Sequence, residues 1–302
     1  MKFPSLFFIV GPTGVGKSEI SLSLAQKLNA EIISCDAMQV YQEIEIANDK
    51  PSQKARTQVI HHLVDIISVV EDFNVARFRQ LALKAITDIQ SRGKTPLIVG
   101  GSGMYMSVLL DGIFEGTSLK EEVREGLKNE LLKVGPIVLH ERLKSLDPKA
   151  ALKIHPHDPQ RIIRALEVAM STGESITSLQ SKRDGLWGKM PIKIIALNRS
   201  REELYTRVET RIDDMFTKGI VDEIKHISSL PLSITAQKII GVPEIMGFLK
   251  GEYDLDRAQY LMKLHTRHYV KRQLTWFRRD KRLTWIDIAP RQSTIDLINI
   301  FS

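Results

Sequence analysis

Short runs of apolar residues alternate with stretches of helical periodicity in the first hundred residues. The run LFFIV at 6–10 predicts a buried strand, and residues 18–28 predict the helix that follows it. The same pattern predicts a strand at 31–34, an apolar segment at 62–67, a helix at about 75–92 and a strand at 96–99. Later in the chain, residues 192–197 predict one further strand. Strands that alternate with helices in this way predict an α/β fold, with a parallel sheet flanked by helices.

The pattern changes between residues 112 and 187, where no strand-like run occurs. Asp147-Pro148 and Asp158-Pro159 each place a capping residue before a proline suited to the first helical position. We therefore expect an all-helical insertion domain at 112–187. It would interrupt a core made of residues 1–111 and 188–302, in which long helices fill most of the last hundred residues.

The composition and the longest apolar run favour a globular protein over a membrane-spanning or disulfide-bonded one. The 302 residues are 43% hydrophobic and 26% charged, which is typical of a globular chain with a full core. The longest apolar run, Leu6–Val10, is far shorter than the roughly 20 residues that span a bilayer. The single cysteine, Cys35, excludes an intrachain disulfide and a cysteine-cluster zinc site. We expect a soluble, cytoplasmic protein that does not enter a membrane.

Positive charge is concentrated near the C-terminus. The formal net charge is +7, and residues 257–282 alone carry nine basic residues and one acidic residue. Such clustering favours a phosphate-rich partner, and a solvated helix face is the alternative. Lys263, Arg267 and Lys271 recur every four residues on one predicted face. Trp276 could stack on a base or belong to the core.

One motif carries most of the chemical information. The sequence GPTGVGKS fits G-x-x-x-x-G-K-[ST], directly after a predicted strand and before a predicted helix. Glycines let successive N–H groups point at phosphate oxygens, at a helix N-terminus that favours negative charge. Lys17 would reach the phosphates, and the Ser18 hydroxyl could hold Mg²⁺. The predicted phosphate-binding residues are Gly11, Pro12, Thr13, Gly14, Val15, Gly16, Lys17 and Ser18.

The motif does not say which phosphate is bound. A nucleotide-hydrolysing enzyme usually has a further apolar strand that ends in Asp, whereas the strand at 97–99 here runs into Gly100-Gly101-Ser102. Asp36, after the strand at 31–34, would lie at the same edge of the sheet. Asp36 could act as a base, could hydrogen-bond a ligand of a bound metal without coordinating the metal itself, or could cap a turn.

The histidine pairs and the cysteine carry weaker signals. His61-His62 and His155-x-His157 lack the spacing of helical metal ligands and a third partner nearby. Packing or loop hydrogen bonding is the expected role of these histidines. Cys35 is expected to be an inert core thiol.

Six segments together resemble the tRNA dimethylallyltransferase family, also called tRNA isopentenyltransferases. They are GPTGVGKS (11–18), ISCDAMQVY (33–41), HHLVDI (61–66), VGGSGMY (99–105), IHPHDPQRIIRALEV (154–168) and KRQLTWFR (271–278). Each segment except the first is only a weak indication of the family when taken alone. Together, however, the six have the order and spacing of the family. The resemblance runs from Gly11 to about Asp287.

The resemblance implies a fold and an activity. The core would be similar to P-loop nucleotide kinases. The family transfers a dimethylallyl group from dimethylallyl pyrophosphate to the exocyclic amine of the adenine 3′ of the anticodon in tRNA, with Mg²⁺. The glycine-rich loop would then hold a pyrophosphate that leaves. The insertion would contact the anticodon stem-loop, the basic C-terminal helix would follow its backbone, and the protein would be a monomer.

The resemblance also implies roles for individual residues. Asp36 corresponds to the family's general base, and Ser102 stands near the reacting centre, where the family usually has Thr. Lys17 and Arg211, in RVETR, would grip the pyrophosphate. Positions matched to tRNA contacts are Asp36, Ala37, Met38, Gln39, Arg124, Gln160, Arg161, Ile162, Ile163, Arg164, Lys271 and Arg272.

Three positions or segments depart from the family pattern. The family usually reads I-G-T-A-K-P where this chain has residues 46–51, IANDKP. Arg77 replaces an Asp, and Pro243 interrupts a segment that tends to read I-G-Y-[KR]-E. Three alternatives therefore accompany tRNA prenyl transfer: a small-molecule kinase, prenyl transfer to free AMP, and a tRNA-binding protein without activity.

Overall fold

The structure, a computed structural model, describes residues 6–114 and 121–289. The chain divides into two units, one of Met1–Leu109 with Trp187–Ser302 and the other of Leu110–Leu186. The second unit overlaps the insertion expected at 112–187.

Parallel strands form the centre of the first unit. Within its described residues, six strands make one sheet in the order β3-β2-β4-β1-β5-β6, and every neighbouring pair is parallel. The strands are β1 (Leu6–Val10), β2 (Ala30–Ser34), β3 (His61–His62), β4 (Thr95–Gly100), β5 (Ile192–Asn198) and β6 (Thr284–Asp287). The α/β prediction with a parallel sheet is confirmed.

β1, the first predicted strand, is completely buried within the sheet. All five residues of β1 are buried, and Phe8 is paired with Ile98 of β4 and Ile194 of β5. A strand buried on both faces is a continuous apolar run, which explains the LFFIV pattern. Leu24 and Leu204, each from a flanking helix, complete the core against it.

The strands are joined mainly by helices. Those of the first unit are α1 (Lys17–Lys27), α2 (Gln53–Gln58), α3 (Val75–Ser91), α4 (Gly103–Leu110), α9 (Arg201–Thr217), α10 (Ile220–Ile227), α11 (Val242–Leu249) and α12 (Leu255–Phe277), with a short 3₁₀ helix at Ala236–Lys238. Within 6–114 and 121–289, no helix is long and apolar enough to cross a membrane.

Two edge strands differ from the sequence expectation. Of the apolar segment predicted at 62–67, only His62 belongs to β3 and pairs with β2, because Leu63 and Asp65 take left-handed φ values of 62° and 55° and turn the chain away. β6 was not predicted. It is four residues long and largely accessible, so its sequence lacks the apolar run that marks a buried strand.

The second unit is helical throughout the residues that are described. It contains α5 (Glu121–Leu146), α6 (Pro148–Ala151), α7 (Pro159–Thr172) and α8 (Ile176–Ser181). Asp147 caps α6 and Asp158 caps α7, as predicted. α5 is kinked where Gly135 takes a φ of 77°, just before Pro136.

Candidate active site

The glycine-rich turn (residues 11–16) between β1 and α1 forms one wall of a pocket. α1 begins at Lys17, and the preceding Gly16 has a φ of 100°, which glycine adopts at little steric cost. The Lys17 Nζ donates to the carbonyl oxygens of Gly11 at 2.9 Å and Pro12 at 2.8 Å. A helix N-terminus with an ammonium group beside it is an arrangement that suits an anion.

The pocket collects most of the predicted catalytic side chains. Its volume is about 520 Å³, and Lys17, Asp36 and Arg211 all line it. The wall also contains Thr13, Gly14, Gly16, Ser18, Gln39, Asn48, Asp49, Gly100, Gly101, Arg207, Tyr269 and Gln273. Because the turns after β1, β2 and β4 contribute to it, the pocket lies at the carboxyl edge of the sheet, where ligands bind in such folds.

Gln273 of α12 ties the turn to the end of β4. Its Oε1 accepts the Thr13 N–H at 2.9 Å, and its Nε2 donates to the Gly101 carbonyl at 2.9 Å. A Cβ on Gly101 would come within 2.2 Å of the Gln273 Nε2, so this approach requires glycine. Gln273 was not predicted as a site residue, although it lies within the KRQLTWFR segment.

We expect Gln273→Met to weaken binding of pyrophosphate, the ligand that the family resemblance implies, by about tenfold. Methionine keeps the length of the side chain but leaves the Thr13 N–H and the Gly101 carbonyl without their partner, a loss of about 1–3 kcal/mol per buried group. Calorimetric titration with pyrophosphate measures the effect, and Gln259→Met, on the same helix, is the control. Equal affinity in Gln273→Met and wild-type protein would contradict this role.

Two arginines that lie 184 and 193 residues further along the chain than their partners support the turn. The Arg207 Nε donates to the Gly14 carbonyl at 2.7 Å, and the Arg199 Nε donates to the Val15 carbonyl at 3.0 Å. Neither arginine was predicted. Arg207 precedes Arg211 by one helical turn in the RVETR segment, which places both on one face of α9.

Asp36 and Lys17 have shifted pKa values. The Asp36 Oδ1 accepts the Met38 N–H at 2.9 Å. Burial raises the pKa of Asp36, against the opposing effects of that hydrogen bond and the Lys17 charge. Burial lowers the pKa of Lys17 to about 8, although the Asp36 charge opposes the shift. A partly buried carboxylate and a partly buried ammonium with shifted pKa values in one pocket are typical of functional sites.

The loop after Asp36 reaches the pocket because a distant carboxylate holds it. The Glu223 Oε2 of α10 accepts two consecutive backbone N–H groups at 2.7 Å, and its Oε1 accepts a third at 2.9 Å; the donors are Glu45, Ile46 and Ala47. The Asn48 Nδ2 donates to the Met38 carbonyl at 2.7 Å. These contacts fix the segment that carries Asn48 and Asp49 into the pocket wall.

We expect Glu223→Gln to loosen this loop. The amide can accept fewer N–H groups and loses the charge that strengthens them, which costs about 1–3 kcal/mol of unfolding free energy. Hydrogen exchange at residues 45–47 should become faster, and Asp222→Asn, on the same turn of α10, provides the control. Unchanged exchange in Glu223→Gln would mean that other contacts hold the loop.

Ser102 lies beside the pocket and is not among the residues that line it. Its N–H donates to the Cys35 carbonyl at 3.2 Å, which joins it to the residue before Asp36. Cys35 itself is completely buried, and burial raises the pKa of its thiol, as expected of an inert core cysteine.

The residues predicted to contact tRNA fall into two classes in the second unit. Arg124, Gln160, Arg161 and Arg164 are exposed. Ile162 and Ile163 are buried in the core of the unit, 0% and 9% exposed. Their side chains therefore pack against neighbouring helices, and the prediction that they meet RNA needs correction, because the helical period that exposes the arginines turns the isoleucines inward.

In the first unit, the predicted RNA-contact residues lie on the loop after β2 and on α12. Ala37, Met38 and Gln39 are partly buried next to Asp36. Lys271 and Arg272 are exposed, and the Arg272 guanidinium lies 5.7 Å from the centre of the Tyr269 ring.

The predicted basic face of α12 is partly neutralised. Lys263 forms an ion pair with Asp213, and Arg267 pairs with Glu209, both on α9. The α12 face that carries these cations therefore packs against a second helix, and Lys271 is its exposed member.

Trp276 packs against its own chain and is partly accessible, and its stacking on a base stays a prediction. Its ring packs against Gly103, where a Cβ would come within 2.0 Å of the ring, and 39% of the residue is exposed.

The histidines have structural partners. His62 pairs with the buried Glu31, and His61 bonds the Val59 carbonyl. In the second unit, the His155 Nδ1 accepts the His157 N–H at 3.1 Å. Among the residues described, no three His, Cys, Asp or Glu side chains converge as a metal site.

Of the departures from the family pattern, those at Asn48 and Asp49 reach the pocket. Arg77 is outside the pocket wall and pairs with Glu71. Pro243 lies in the first turn of α11, where a proline is tolerated.

Comparisons of this sequence and structure with those of known proteins identify the family of the chain. The family model described as IPP transferase matches residues 39–280. The chain belongs to the IPP transferase family. The tRNA dimethylallyltransferase of Thermotoga maritima is 41% identical over 92% of this chain and 91% of its own length. That of Halothermothrix orenii is 40% identical over 99% of this chain and 90% of its own length.

Solved structures of IPP transferases share the fold. The tRNA isopentenylpyrophosphate transferase of Bacillus halodurans superposes with a TM-score of 0.71 at 36% identity, covering 98% of this chain and 95% of that one. A eukaryotic dimethylallyltransferase acting on tRNA gives a TM-score of 0.79 at 29% identity, over 93% of this chain and 73% of that chain. The family resemblance seen in the six sequence segments is confirmed.

Proposed function

We propose that this protein transfers a dimethylallyl group from dimethylallyl pyrophosphate to the exocyclic amine of the adenine 3′ of the anticodon in tRNA. The products are N6-isopentenyladenosine in the tRNA and free pyrophosphate. The observation that carries the proposal is the meeting of Lys17, Asp36 and Arg211 in one pocket of an IPP transferase. Curated relatives about 40% identical over most of the chain are named tRNA dimethylallyltransferases.

We assign the donor's pyrophosphate to the glycine-rich turn. The N-terminus of α1, Lys17 and Arg211 together offer N–H donors and positive charge. As the bond between the dimethylallyl carbon and the pyrophosphate oxygen breaks, its electron pair stays on that oxygen. Cations already in place stabilise this growing charge without a cost of reorganisation.

We assign the acceptor side to Asp36. The exocyclic amine of adenine is a weak nucleophile, because its lone pair is delocalised into the ring. As its nitrogen bonds to the dimethylallyl carbon, a proton must leave, and the Asp36 carboxylate would accept it. The raised pKa of Asp36 makes its carboxylate a better base than an exposed one.

We propose that Ser18 contributes to a Mg²⁺ site. Ser18 lines the pocket next to Lys17, and its hydroxyl would offer an oxygen ligand, the type that Mg²⁺ prefers. Pyrophosphate oxygens and water would supply the other ligands. Bound Mg²⁺ would neutralise negative charge on the pyrophosphate.

The exposed basic residues fit a nucleic-acid partner. Lys271 and Arg272 on α12 would contact tRNA phosphates. Reading one adenine amine requires that base to leave the stack, so a loop is a better substrate than a duplex. Affinity for a stem-loop should fall steeply as salt rises.

A competition between acceptors tests the proposal. The protein, Mg²⁺ and labelled dimethylallyl pyrophosphate are mixed with an anticodon stem-loop, with the same stem-loop carrying guanine at the target position, or with AMP. We expect transfer to the adenine stem-loop alone. Transfer to AMP at equal efficiency would assign the protein to nucleotide prenylation, and ADP formation from ATP and a small acceptor would assign it to the kinases.

A further inference from the structure

Asp49 places a carboxylate in the part of the pocket that is otherwise suited to an anion. The Arg211 Nη1 donates to the Asp49 Oδ2 at 2.8 Å. Asp49 lines the same pocket as Lys17, and its charge raises the pKa of that ammonium. One acidic side chain therefore interacts with both cations that we assign to pyrophosphate.

The loop holds Asp49 at this position. Its backbone N–H donates to the Ile46 carbonyl at 3.1 Å, and Glu223 clamps the three residues at 45–47. Asp49 has a left-handed φ of 46°, which Asp and Asn tolerate better than most residues. Since the backbone is fixed, the carboxylate can leave Arg211 chiefly by rotating its own side chain toward solvent.

Arg211 has donor capacity beyond this contact. Its Nε is buried and has no hydrogen-bond partner within the described part of the chain. A guanidinium can bind an anion through two parallel N–H groups, which is the geometry that phosphate oxygens favour. The Asp49 contact occupies Nη1, so a bidentate contact through Nη1 and Nη2 requires the carboxylate to move away, and even a contact elsewhere on the guanidinium shares its charge with Asp49.

We propose that Asp49 competes with pyrophosphate for Arg211 and so weakens the binding of pyrophosphate, the leaving group and product. The inference rests on the proposed function, because it takes pyrophosphate as the ligand of the pocket. Pyrophosphate displaces the carboxylate when it binds, and the carboxylate returns to Arg211 when pyrophosphate leaves. Asp49 thereby favours release of the product.

The solvent exposure of Asp49 and Arg211 limits how strongly Asp49 can change the affinity for pyrophosphate. The Asp49 side chain is 54% exposed and that of Arg211 is 25% exposed, so solvent screens their attraction. Removing the Asp49 charge would also remove the repulsion between this carboxylate and the negatively charged pyrophosphate. We expect a change in pyrophosphate affinity of about three- to tenfold at low salt, and a smaller one at high salt.

The test is titration of the full-length protein with inorganic pyrophosphate, with and without Mg²⁺. Asp49→Asn removes the charge, keeps the size and tolerates the left-handed φ. Glu209→Gln, which removes the partner of Arg267 elsewhere on α9, is the control. We expect Asp49→Asn to bind pyrophosphate about three- to tenfold more tightly and Glu209→Gln to match the wild type.

The other outcomes separate the inference from the proposed function. Equal or weaker binding by Asp49→Asn would mean that Asp49 positions Arg211 instead of competing for it, and this would overturn the inference alone. Tighter binding only without Mg²⁺ would make Asp49 a metal ligand and would also overturn it. No binding of pyrophosphate to wild-type protein would remove the proposed donor site and the inference with it.

Discussion

Asp36→Asn is expected to lower kcat for prenyl transfer by about 10² to 10⁴, the usual range for loss of a positioned base. Asparagine has nearly the same shape and can keep the hydrogen bond to the Met38 N–H, but it cannot accept the proton. Affinity for the stem-loop should change little. Single-turnover transfer at saturating donor measures the loss, and Asp88→Asn, an exposed residue of α3, is the control.

The pH dependence should distinguish a base from a structural residue. Because Asp36 must be ionised to accept a proton, the wild-type rate should fall as pH drops through its raised pKa. The Asp36→Asn rate should lack this acid limb. An acid limb that persists unchanged in the variant would assign the titration to another group.

Stability should change in the opposite direction to activity. The folded protein holds the Asp36 proton more tightly than the unfolded chain does, so ionisation near pH 7 costs folding free energy. Asparagine carries no such cost. Asp36→Asn is therefore expected to melt at a higher temperature than wild-type protein at pH 7, and at a more similar temperature at low pH.

Lys17→Met is the second substitution with a large expected effect. It removes the ammonium from the turn, and we expect kcat/KM for the pyrophosphate donor to fall by about 10² to 10³, as when a stabiliser of developing charge is lost. Lys17→Arg keeps the charge and should retain more activity. Steady-state kinetics at varied donor concentration measures both variants, and near-wild-type kcat/KM in Lys17→Met would contradict the assignment.

The lowered pKa of Lys17 adds a test that needs no turnover. With a pKa of about 8 in the free protein, Lys17 is about half deprotonated at pH 8, and a bound anion should restore its proton. Titration with pyrophosphate in buffers of different ionisation enthalpy should detect this uptake in wild-type protein. Lys17→Arg should lack it, because a guanidinium stays charged. Equal uptake in both proteins would place the titrating group elsewhere.

Local patterns were sufficient to predict the elements that make the turn. The apolar run of β1, the glycines after it and the helix that starts at Lys17 are contiguous, so each could be predicted from neighbouring residues. The caps at Asp147 and Asp158 are likewise short-range signals. Asp36 could be placed near the turn because parallel strands bring their carboxyl ends to one edge.

The side chains that support the site could not be found in this way. Thr13 and its partner Gln273 are 260 residues apart, and Arg207 is 193 residues from Gly14. Periodicity also did not distinguish the exposed Lys271 from Lys263, which pairs with Asp213. Such pairings depend on which helices meet in the folded chain, and a single sequence does not encode them as a local pattern.

The identity and stoichiometry of the products test prenyl transfer to tRNA most directly. Wild-type protein is incubated with Mg²⁺, dimethylallyl pyrophosphate and an unmodified anticodon stem-loop, and pyrophosphate is counted while nucleosides are identified by mass spectrometry after digestion. We predict one N6-isopentenyladenosine, at the adenine 3′ of the anticodon, for each pyrophosphate released. Pyrophosphate released without that nucleoside, or tight stem-loop binding with neither product, would contradict the proposed transfer to tRNA.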